Sequence, residues 1–585
     1  MATFMNALTG DDYTMYPFST ENPTDFKNLM DVYMDSTFSP RLRELDFKQE
    51  GWRLEHEDPK DPSSPLIFKG VVYNEMKGAL ADQSALFYYR NQQQMYPGSI
   101  YSHVSGGDPE AITNLTHKQL VDFHARNYHP SNARFFTYGT FPLAEHLRAV
   151  DEKIAGFDSI PTEKVADVQP FESPRRVRAT CPPDPMGNPE KQTKMSVSFL
   201  TNRDTDVYES FAMRVLSSLL LEGAASPMYK ALIESNIGSD YAATTGYNRH
   251  TRQTNVSFGL QGIRSENVDM VEERILNVLD EASRNGFDPQ RVESVIHQTE
   301  LALKHRTANF GMTLGQGVMS HWVHGGDPLD AMEVARYITR LRTDLQNPTY
   351  FQTMIQKQFL NNPHRLTFIM EPDNAYNEIL GQKEQARLKQ KVDALSEEER
   401  KKIYEQGLQL LKNQEEKEDL SCLPTLTEKD ILRKGKEYPV QDHTVEKVPV
   451  QFRTTATNGV SYVTLAKSLE GLPDELRDYV PLYCSALPSL GTKSKSLAEL
   501  DELVRLHTGG ISSSPSSTST PQTLQKSTQT LYLSTNALDT NIPKAYSLLA
   551  EIVSEANWSD LEKLKTVVLG MASDLTNSVA QSGHR

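Results

Sequence analysis

The chain has 585 residues, of which 38% are hydrophobic and 24% charged, and its net charge is −16. This length allows about four domains with sizeable cores, and the acidic balance argues against nucleic acid and for cationic partners. No apolar run approaches the roughly 20 residues of a membrane span, and three widely spaced cysteines indicate a reducing compartment instead of a disulfide framework.

The first region, about residues 1 to 150, alternates predicted strands with helices. Thr116 and Gln119 form a capping box that opens a helix over residues 118–128. Pro130 ends that helix, and residues 133–138 are predicted to form a strand. We therefore expect two-layer α/β packing in this part of the chain.

The run FKGVVYNEMKG, residues 68–78, contains one acidic residue in an unusual position. On a helix, Val72, Glu75, Met76 and Ala79 share one face, so the pattern predicts that the Glu75 carboxylate points into an apolar stripe. A carboxylate taken out of water normally meets a cation, a metal or several donors. Two interpretations stay open on this pattern alone: an ordinary buried ion pair, and a metal ligand.

A second region follows a linker rich in Pro, Glu and Asp. Residues 195–200, 256–263 and 366–370 are predicted strands, and long helical stretches end near residues 285 and 307. The region reads as an α/β unit, either a wall of a binding chamber or a purely structural domain.

The second region also contains an HxxH pair, His321 and His324, whose spacing places both rings on one helical face. Metal sites need further ligands, and the neighbouring sequence offers none, so we expect a partly exposed helix end. The remaining histidines are scattered and are interpreted as structural; they include His56, His103, His124 and His129.

From about residue 374 to 420 the composition changes to Glu, Lys, Gln and Leu, which predicts a helical hairpin. Ser396 and Glu399 form a capping box at its turn, and its charge run is typical of a solvated helix face, with a partner-binding coil as the alternative. After Pro424 a new α/β unit begins. Its Ser/Thr-rich stretch up to Thr530 is predicted to form strands with a polar loop, with a disordered or modified segment as the alternative.

Several long blocks of the first region carry a family resemblance. Residues 2–26, 42–55, 68–78 and 123–141 together closely resemble subfamily C of the pitrilysin-type zinc metallopeptidases. The resemblance runs along the whole chain, as an internal piece of a longer protein. It implies α/β (α+β) two-layer repeats, which are pitrilysin-type metallopeptidase domains joined by a helical hairpin. The implied boundaries are 1–155 for a first peptidase domain that lacks its N-terminal motif helix, 166–373 for a second peptidase-like domain, 374–445 for the hairpin linker and 446–585 for a partial third domain.

The resemblance also assigns site residues. In the family, two histidines and a general base come from an His-x-x-Glu-His helix and a distal glutamate completes the zinc site; Glu75 matches that distal ligand. No His-x-x-Glu-His occurs in this sequence, so no catalytic residue is assigned and the general base is expected upstream of Met1. Substrate peptides in the family lie along an edge strand that Asn6, Ala7, Leu8 and Thr9 match, although Leu8 is more often phenylalanine in relatives. A plain edge strand at a frayed terminus is the alternative.

The implied function is a zinc metalloendopeptidase that degrades unstructured, often basic peptides, such as cleaved targeting peptides, as a monomer in the mitochondrial matrix. We expect the printed chain itself to be inactive, because the motif and the last domain are missing. Residues 1–16 contain two aspartates and no arginine, the reverse of a transit peptide, so targeting is expected to be absent or to lie upstream. The alternative is a non-catalytic binding or assembly subunit related to the zinc peptidases.

Overall fold

The protein is described here from a computed structural model, which defines residues 2–417, 419–435, 437–519 and 523–582. In the first region, residues 2–155, the strands form three two-stranded antiparallel ladders among the described residues. The strands are β1 (Phe4–Met5), β2 (Leu8–Thr9), β3 (Thr14–Met15), β4 (Phe18–Ser19), β5 (Arg53–His56) and β6 (Leu66–Lys69). The helices are α1 (Pro23–Phe38), α2 (Glu44–Asp46), α3 (Val71–Ala79), α4 (Gln83–Met95), α5 (Pro109–Ile112), α6 (His117–Asn127) and α7 (Leu143–Ile154).

In the first region, the predicted start of the helix at Thr116 is confirmed and the predicted strand over residues 133–138 is wrong. The capping box of Thr116 opens α6 as predicted. Residues 133–138 have no regular secondary structure and pair with no strand in the described chain. Phe136 and Tyr138 instead lie close to Gly315 and Gly311 of a second-region helix. The β-propensity of the segment was real, but a strand also needs a neighbour to receive its backbone hydrogen bonds.

The second region is built on a six-stranded mixed sheet. Its strands are β7 (Arg175–Cys181), β8 (Thr193–Arg203), β9 (Asp240–Tyr241), β10 (Gly246–Asn248), β11 (Gln253–Ile263) and β12 (Arg365–Pro372). They follow the order β10-β11-β8-β12-β7, with β9 beside β11, and only the β12–β7 pair is parallel. The helices are α8 (Val207–Leu221), α9 (Val268–Asn285), α10 (Pro289–Lys304), α11 (Phe310–Val323), α12 (Pro328–Met332), α13 (Val334–Asp344) and α14 (Tyr350–Ile355).

The two faces of this sheet are covered by different parts of the chain. Met195, Val197 and Phe199 point into a large apolar cluster with the second region's own helices. The residues between them, Ser196 and Ser198, face α4 of the first region, where Asn91 Nδ2 donates to their hydroxyls at 2.9 and 3.2 Å. Successive side chains of β8 therefore point alternately to the second region's own helices and to α4 of the first region.

The predicted helical hairpin consists of α15 (Tyr376–Asp393) and α16 (Glu397–Glu415), with the Ser396 capping box at its turn. It packs against the first region. The third region has strands β13 (Gln441–Val445), β14 (Val448–Phe452), β15 (Val460–Ser468), β16 (Ile511–Ser519) and β17 (Ser527–Leu538). Its helices are α17 (Asp474–Arg477), α18 (Val480–Ala486), α19 (Leu497–His507), α20 (Ile542–Glu555) and α21 (Leu561–Ser582).

The third region shows how its Ser/Thr-rich stretch is folded. β16 and β17 form an antiparallel pair and β15 adds to the other side of β17, so the prediction of polar strands is confirmed over 511–519 and 527–538. Residues 520–522 of the predicted loop lie outside the described residues. Within the described ranges no helix is long and apolar enough to cross a membrane, and all three cysteines are free thiols. The mixed α/β class with a joining helical hairpin is confirmed.

Candidate functional site

Glu75 lies on α3, whose start is fixed by a glycine. Gly70 has a φ of 157°, and a Cβ at this position would lie 2.2 Å from the carbonyl oxygen of Gly51. Only glycine avoids that collision, so the chain can pass directly from β6 into α3. Tyr73 and Met76 then pack inward against Phe68 and its neighbours.

The prediction that Glu75 points into an apolar stripe is wrong. The buried face of α3 is centred on Tyr73 and Met76, and Glu75 lies at the border of that face, where its side chain is exposed. Helical periodicity placed Val72, Glu75 and Ala79 on one line, but it did not show that this line runs along the edge of the buried stripe. Within the described residues, Glu75 forms no hydrogen bond or ion pair, so its carboxylate is open to a ligand.

The helical hairpin holds α3 in place from outside. Glu384 of α15 accepts a hydrogen bond from the Tyr73 hydroxyl at 2.9 Å and forms an ion pair with Lys77 at 2.8 Å. These partners lower the pKa of Glu384, although burial alone would raise it. The two contacts lie one on each side of Glu75 in the sequence, so the hairpin fixes the rotation of the helix that carries it.

The predicted substrate strand forms one side of an irregular hairpin, residues 3–19. Leu8 and Thr9 pair with Met15 and Thr14, and the Asn6 N–H donates to the Pro17 carbonyl at 3.1 Å. Asn6, Ala7 and Thr9 are exposed and Leu8 is half-buried. The outer edge of this strand has no strand partner in the part of the chain that the structure describes. The Ala7 N–H already donates to the Asn6 side chain at 2.8 Å and the Asn6 carbonyl accepts from the Tyr33 hydroxyl at 3.4 Å, so an extended peptide could add to the remaining backbone groups.

A loop over residues 104–108 connects the two predicted site segments. Gly106 lies against Met76, where an added Cβ would be 2.6 Å from the sulfur atom. One residue earlier, the Ser105 hydroxyl donates to the Asp11 carbonyl at 3.2 Å, in the turn that follows Thr9. The structure thus links the helix of Glu75 and the edge strand Asn6–Thr9 to one loop.

The expectation for the HxxH pair is wrong, because both histidines are buried. His321 contacts two backbone carbonyls, those of Asp204 and Asp327, at 3.2 and 3.0 Å. His324 instead lies between two carboxylates, with Nε2 2.6 Å from Asp12 Oδ2 and Nδ1 2.9 Å from Asp204 Oδ2. Sequence reasoning missed Asp12 and Asp204; the adjacent acidic pair in the turn after Thr9 was the available signal.

The His324 cluster is charged despite its burial. Burial alone would lower the pKa of His324, but the two flanking carboxylates outweigh it and raise the pKa to about 9. The imidazolium also ends α11, where the helix dipole favours a positive charge. Asp12 Oδ2 accepts a further hydrogen bond from the Tyr101 hydroxyl at 2.6 Å.

Three of the other four predicted structural histidines hydrogen-bond to backbone groups within the first region. His56 Nδ1 lies 2.7 Å from the Ser64 carbonyl oxygen, and His124 Nε2 lies 2.9 Å from that of Thr37. His129 accepts a hydrogen bond from the Ser131 N–H at 3.1 Å. His103 is exposed.

Zinc requires more ligands than the described residues bring together. No group of three or more His, Cys, Asp or Glu side chains with metal-binding geometry occurs among them. A lone exposed carboxylate is a suitable donor type, but catalytic zinc takes three protein ligands. The donor set of this chain therefore does not fit a complete zinc site by itself.

Two family models match the chain. The model described as "Peptidase M16 inactive domain" matches residues 114–299. A second model, described as associated with subfamily C of peptidase family M16, matches residues 370–585. Both descriptions agree with the resemblance seen in the sequence.

Curated relatives match over the whole chain. Mitochondrial presequence proteases from Xenopus laevis, Mus musculus and Yarrowia lipolytica are 44%, 43% and 41% identical to it, each over 100% of the chain. The chain spans 57%, 57% and 59% of their respective lengths. All three are named as mitochondrial proteins, in agreement with the predicted location.

Proposed function

We propose, on the premise that this chain belongs to the M16 peptidase family, that it is part of a zinc metalloendopeptidase of presequence-protease type. The similarity of 41–44% along the whole chain to presequence proteases carries this proposal. Its substrates are unstructured, often basic peptides, including cleaved mitochondrial targeting peptides, and it acts as a monomer in the mitochondrial matrix.

Asn6, Ala7, Leu8 and Thr9 form the proposed peptide-binding edge. An added strand would bind through backbone hydrogen bonds, which require little of the peptide sequence. The net charge of −16 favours basic peptides over acidic ones, because opposite charges raise the rate of encounter. The exposed outer edge of the strand supports this assignment.

Glu75 is the proposed zinc ligand contributed by this chain. Its exposed carboxylate has no partner among the described side chains, so it is free to bind a metal ion. The remaining ligands and the general base are proposed to come from an His-x-x-Glu-His segment, which the printed sequence does not contain. We therefore assign no catalytic step to the printed residues and propose that they do not hydrolyse peptides by themselves.

Mass spectrometry of the endogenous protein tests the proposal. Peptides that lie beyond the printed residues and carry His-x-x-Glu-His would support it. The zinc content of that endogenous-length protein should fall from about one ion per chain to near zero in Glu75→Gln. The matched control Glu145→Gln, an exposed carboxylate on α7, should keep its zinc.

Three results would count against the proposal. A zinc content that is unchanged in Glu75→Gln would remove Glu75 from the metal site. A purified polypeptide of residues 1–585 that cleaves a basic peptide when zinc is added, and stops when a chelator is added, would show that these residues are enough for hydrolysis. An endogenous protein whose ends coincide with the printed ones would favour the non-catalytic binding subunit.

A further inference from the structure

The turn between β2 and β3 carries two acidic residues that reach outside their own hairpin. Asp11 Oδ1 accepts a hydrogen bond from Gln92 of α4 at 3.0 Å. Asp12 extends further, and its carboxylate meets Tyr101 in the first region and His324 in the second. This turn directly follows Thr9, the last residue of the proposed peptide-binding edge.

The Asp12 contact is buried on both sides of the boundary between the regions. The side chains of Asp12 and His324 are each 1% exposed, and that of Asp204 is 4% exposed. Both Asp12 and Asp204 also have a buried Oδ1 without a hydrogen-bond partner in the described structure. His324 is the cation in direct contact with both carboxylates, although Arg249 also acts on Asp204, so separating Asp12 from His324 would weaken the charge compensation of a buried carboxylate.

Outside its turn, the hairpin is held by packing of Phe18 against α1 and by the Tyr128 hydroxyl, which donates to Thr14 at 2.9 Å. Residues 2–7 are exposed, and the paired segments are two residues long. Such short, solvent-exposed ladders open at low free-energy cost unless tertiary contacts hold them. The Asp12–His324 pair is the strongest contact on the hairpin turn, since it is charged, short and removed from solvent.

We propose that the Asp12–His324–Asp204 cluster is a latch that fixes hairpin 3–19 to the second region and so positions the Asn6–Thr9 edge for peptide binding. The role in peptide binding rests on the proposed function, whereas the latch itself does not. His324 acts here as a positioning residue, because it touches the turn and not the peptide.

The charge state of the latch follows from its surroundings. His324 is protonated at neutral pH, and its contacts to Asp12 and Asp204 lose their charge assistance as the pH rises through about 9. Burial also lowers the pKa of the neighbouring His250, which is therefore neutral in the same range. The other titratable or charged groups among the described residues that face the cluster are Tyr13, Tyr101, Asp11, Arg249, Arg252 and His321.

Hydrogen–deuterium exchange with Asp12→Asn tests the latch. This variant keeps the His324–Asp204 pair and removes only the charged tie to the hairpin. Amides in residues 3–19 should exchange about tenfold faster than in the unmodified protein at pH 7, because a charge-assisted hydrogen bond is lost. Amides of the central strand β8 should keep their rates. Unchanged exchange in 3–19, or acceleration spread equally over β8, would overturn the proposal.

His324→Gln and His364→Gln form a matched pair. His364 is also buried near the first region, but its ring stacks on Phe171 and hydrogen-bonds only to backbone groups, the Phe171 N–H at 3.2 Å and the Met95 carbonyl at 2.9 Å. His324→Gln should accelerate exchange in residues 3–19, and His364→Gln should not. Equal effects of the two variants on exchange in residues 3–19 would contradict the latch, because any buried histidine would then have the same effect.

Peptide binding gives a second readout. The anisotropy of a fluorescein-labelled, unstructured basic peptide should report a Kd about tenfold higher for Asp12→Asn than for the unmodified protein. The unmodified protein should lose affinity above about pH 9, and Asp12→Asn should lack that step. If the unmodified protein does not bind the peptide, the proposed function fails, and the exchange experiment still decides the latch. A Kd that is unchanged in Asp12→Asn despite faster exchange would overturn the role in binding.

Discussion

The first and second regions differ in what keeps them folded. The largest buried apolar cluster lies entirely within the second region, between its sheet and its own helices. In the first region, α6 and α7 bury no side chain, and the cluster around Tyr73 and Met76 is small. The first region therefore depends on docking to the second region and to the helical hairpin. Both proposed site segments lie in this dependent part.

The largest effect should come from the second-region core. Phe258 is fully buried and packs against Phe199 and Phe359 at ring-centroid distances of 6.3 and 5.6 Å. Phe258→Ala should lower the free energy of unfolding by about 3–5 kcal/mol, because it removes apolar contacts and leaves a cavity. Urea unfolding followed by circular dichroism measures this loss. A loss below about 1 kcal/mol would contradict the view that stability resides in this core.

Two buried histidines at the junction between the regions should give opposite pH dependences of intermediate size. The raised pKa of His324 means that its contribution is fully present below pH 6.5 and is lost as the pH rises through about 9. Burial lowers the pKa of His364 to about 4, so the folded protein binds fewer protons at this residue than the unfolded chain does. Its contribution is present above pH 6.5 and is lost as the pH falls toward 4.

Thermal melting across pH 4 to 10 checks this pair. The stability difference between the unmodified protein and His324→Gln should shrink at alkaline pH. The corresponding difference for His364→Gln should shrink at acidic pH. Parallel profiles for the two variants would show that the flanking carboxylates do not control His324.

The smallest effect on stability should come from the apolar surface of α7. Leu143 and Leu147 are 56% and 62% exposed, so Leu147→Gln should change the free energy of unfolding by less than about 0.5 kcal/mol. Light scattering should nevertheless show less self-association, because exposed apolar patches promote aggregation. A large loss of stability would mean that α7 packs more deeply than its exposure indicates.

Periodic, locally encoded elements could be predicted from the sequence. The strands that became β8, β11 and β12 and the hairpin of α15 and α16 were predicted because alternation and capping act over a few residues. The burial of Glu75 was predicted wrongly, since periodicity defines a helical face but does not locate the centre of its buried stripe. Residues 133–138 had the composition of a strand but no partner strand among the described residues.

Contacts between distant segments could not be predicted in this way. Asp12 and His324 are 312 residues apart, and neither carries a signal that points to the other. The HxxH spacing drew attention to His324, but a metal was the only partner that spacing could suggest. The actual partners come from a turn in one region and a strand end in another, which only the tertiary fold brings together.

Because α4 packs against the second-region sheet, the first two regions share a core even though an exposed segment joins them in the sequence. Leu86, Phe87 and Met95 of α4 lie with Leu366 and Phe368 in one apolar cluster beneath the second-region sheet. A protease that cut the exposed connecting segment near residues 156–166 would break the polypeptide without freeing its halves. The two fragments should migrate together under native conditions and separate only in denaturant, so the covalent boundary and the cooperative unit do not coincide.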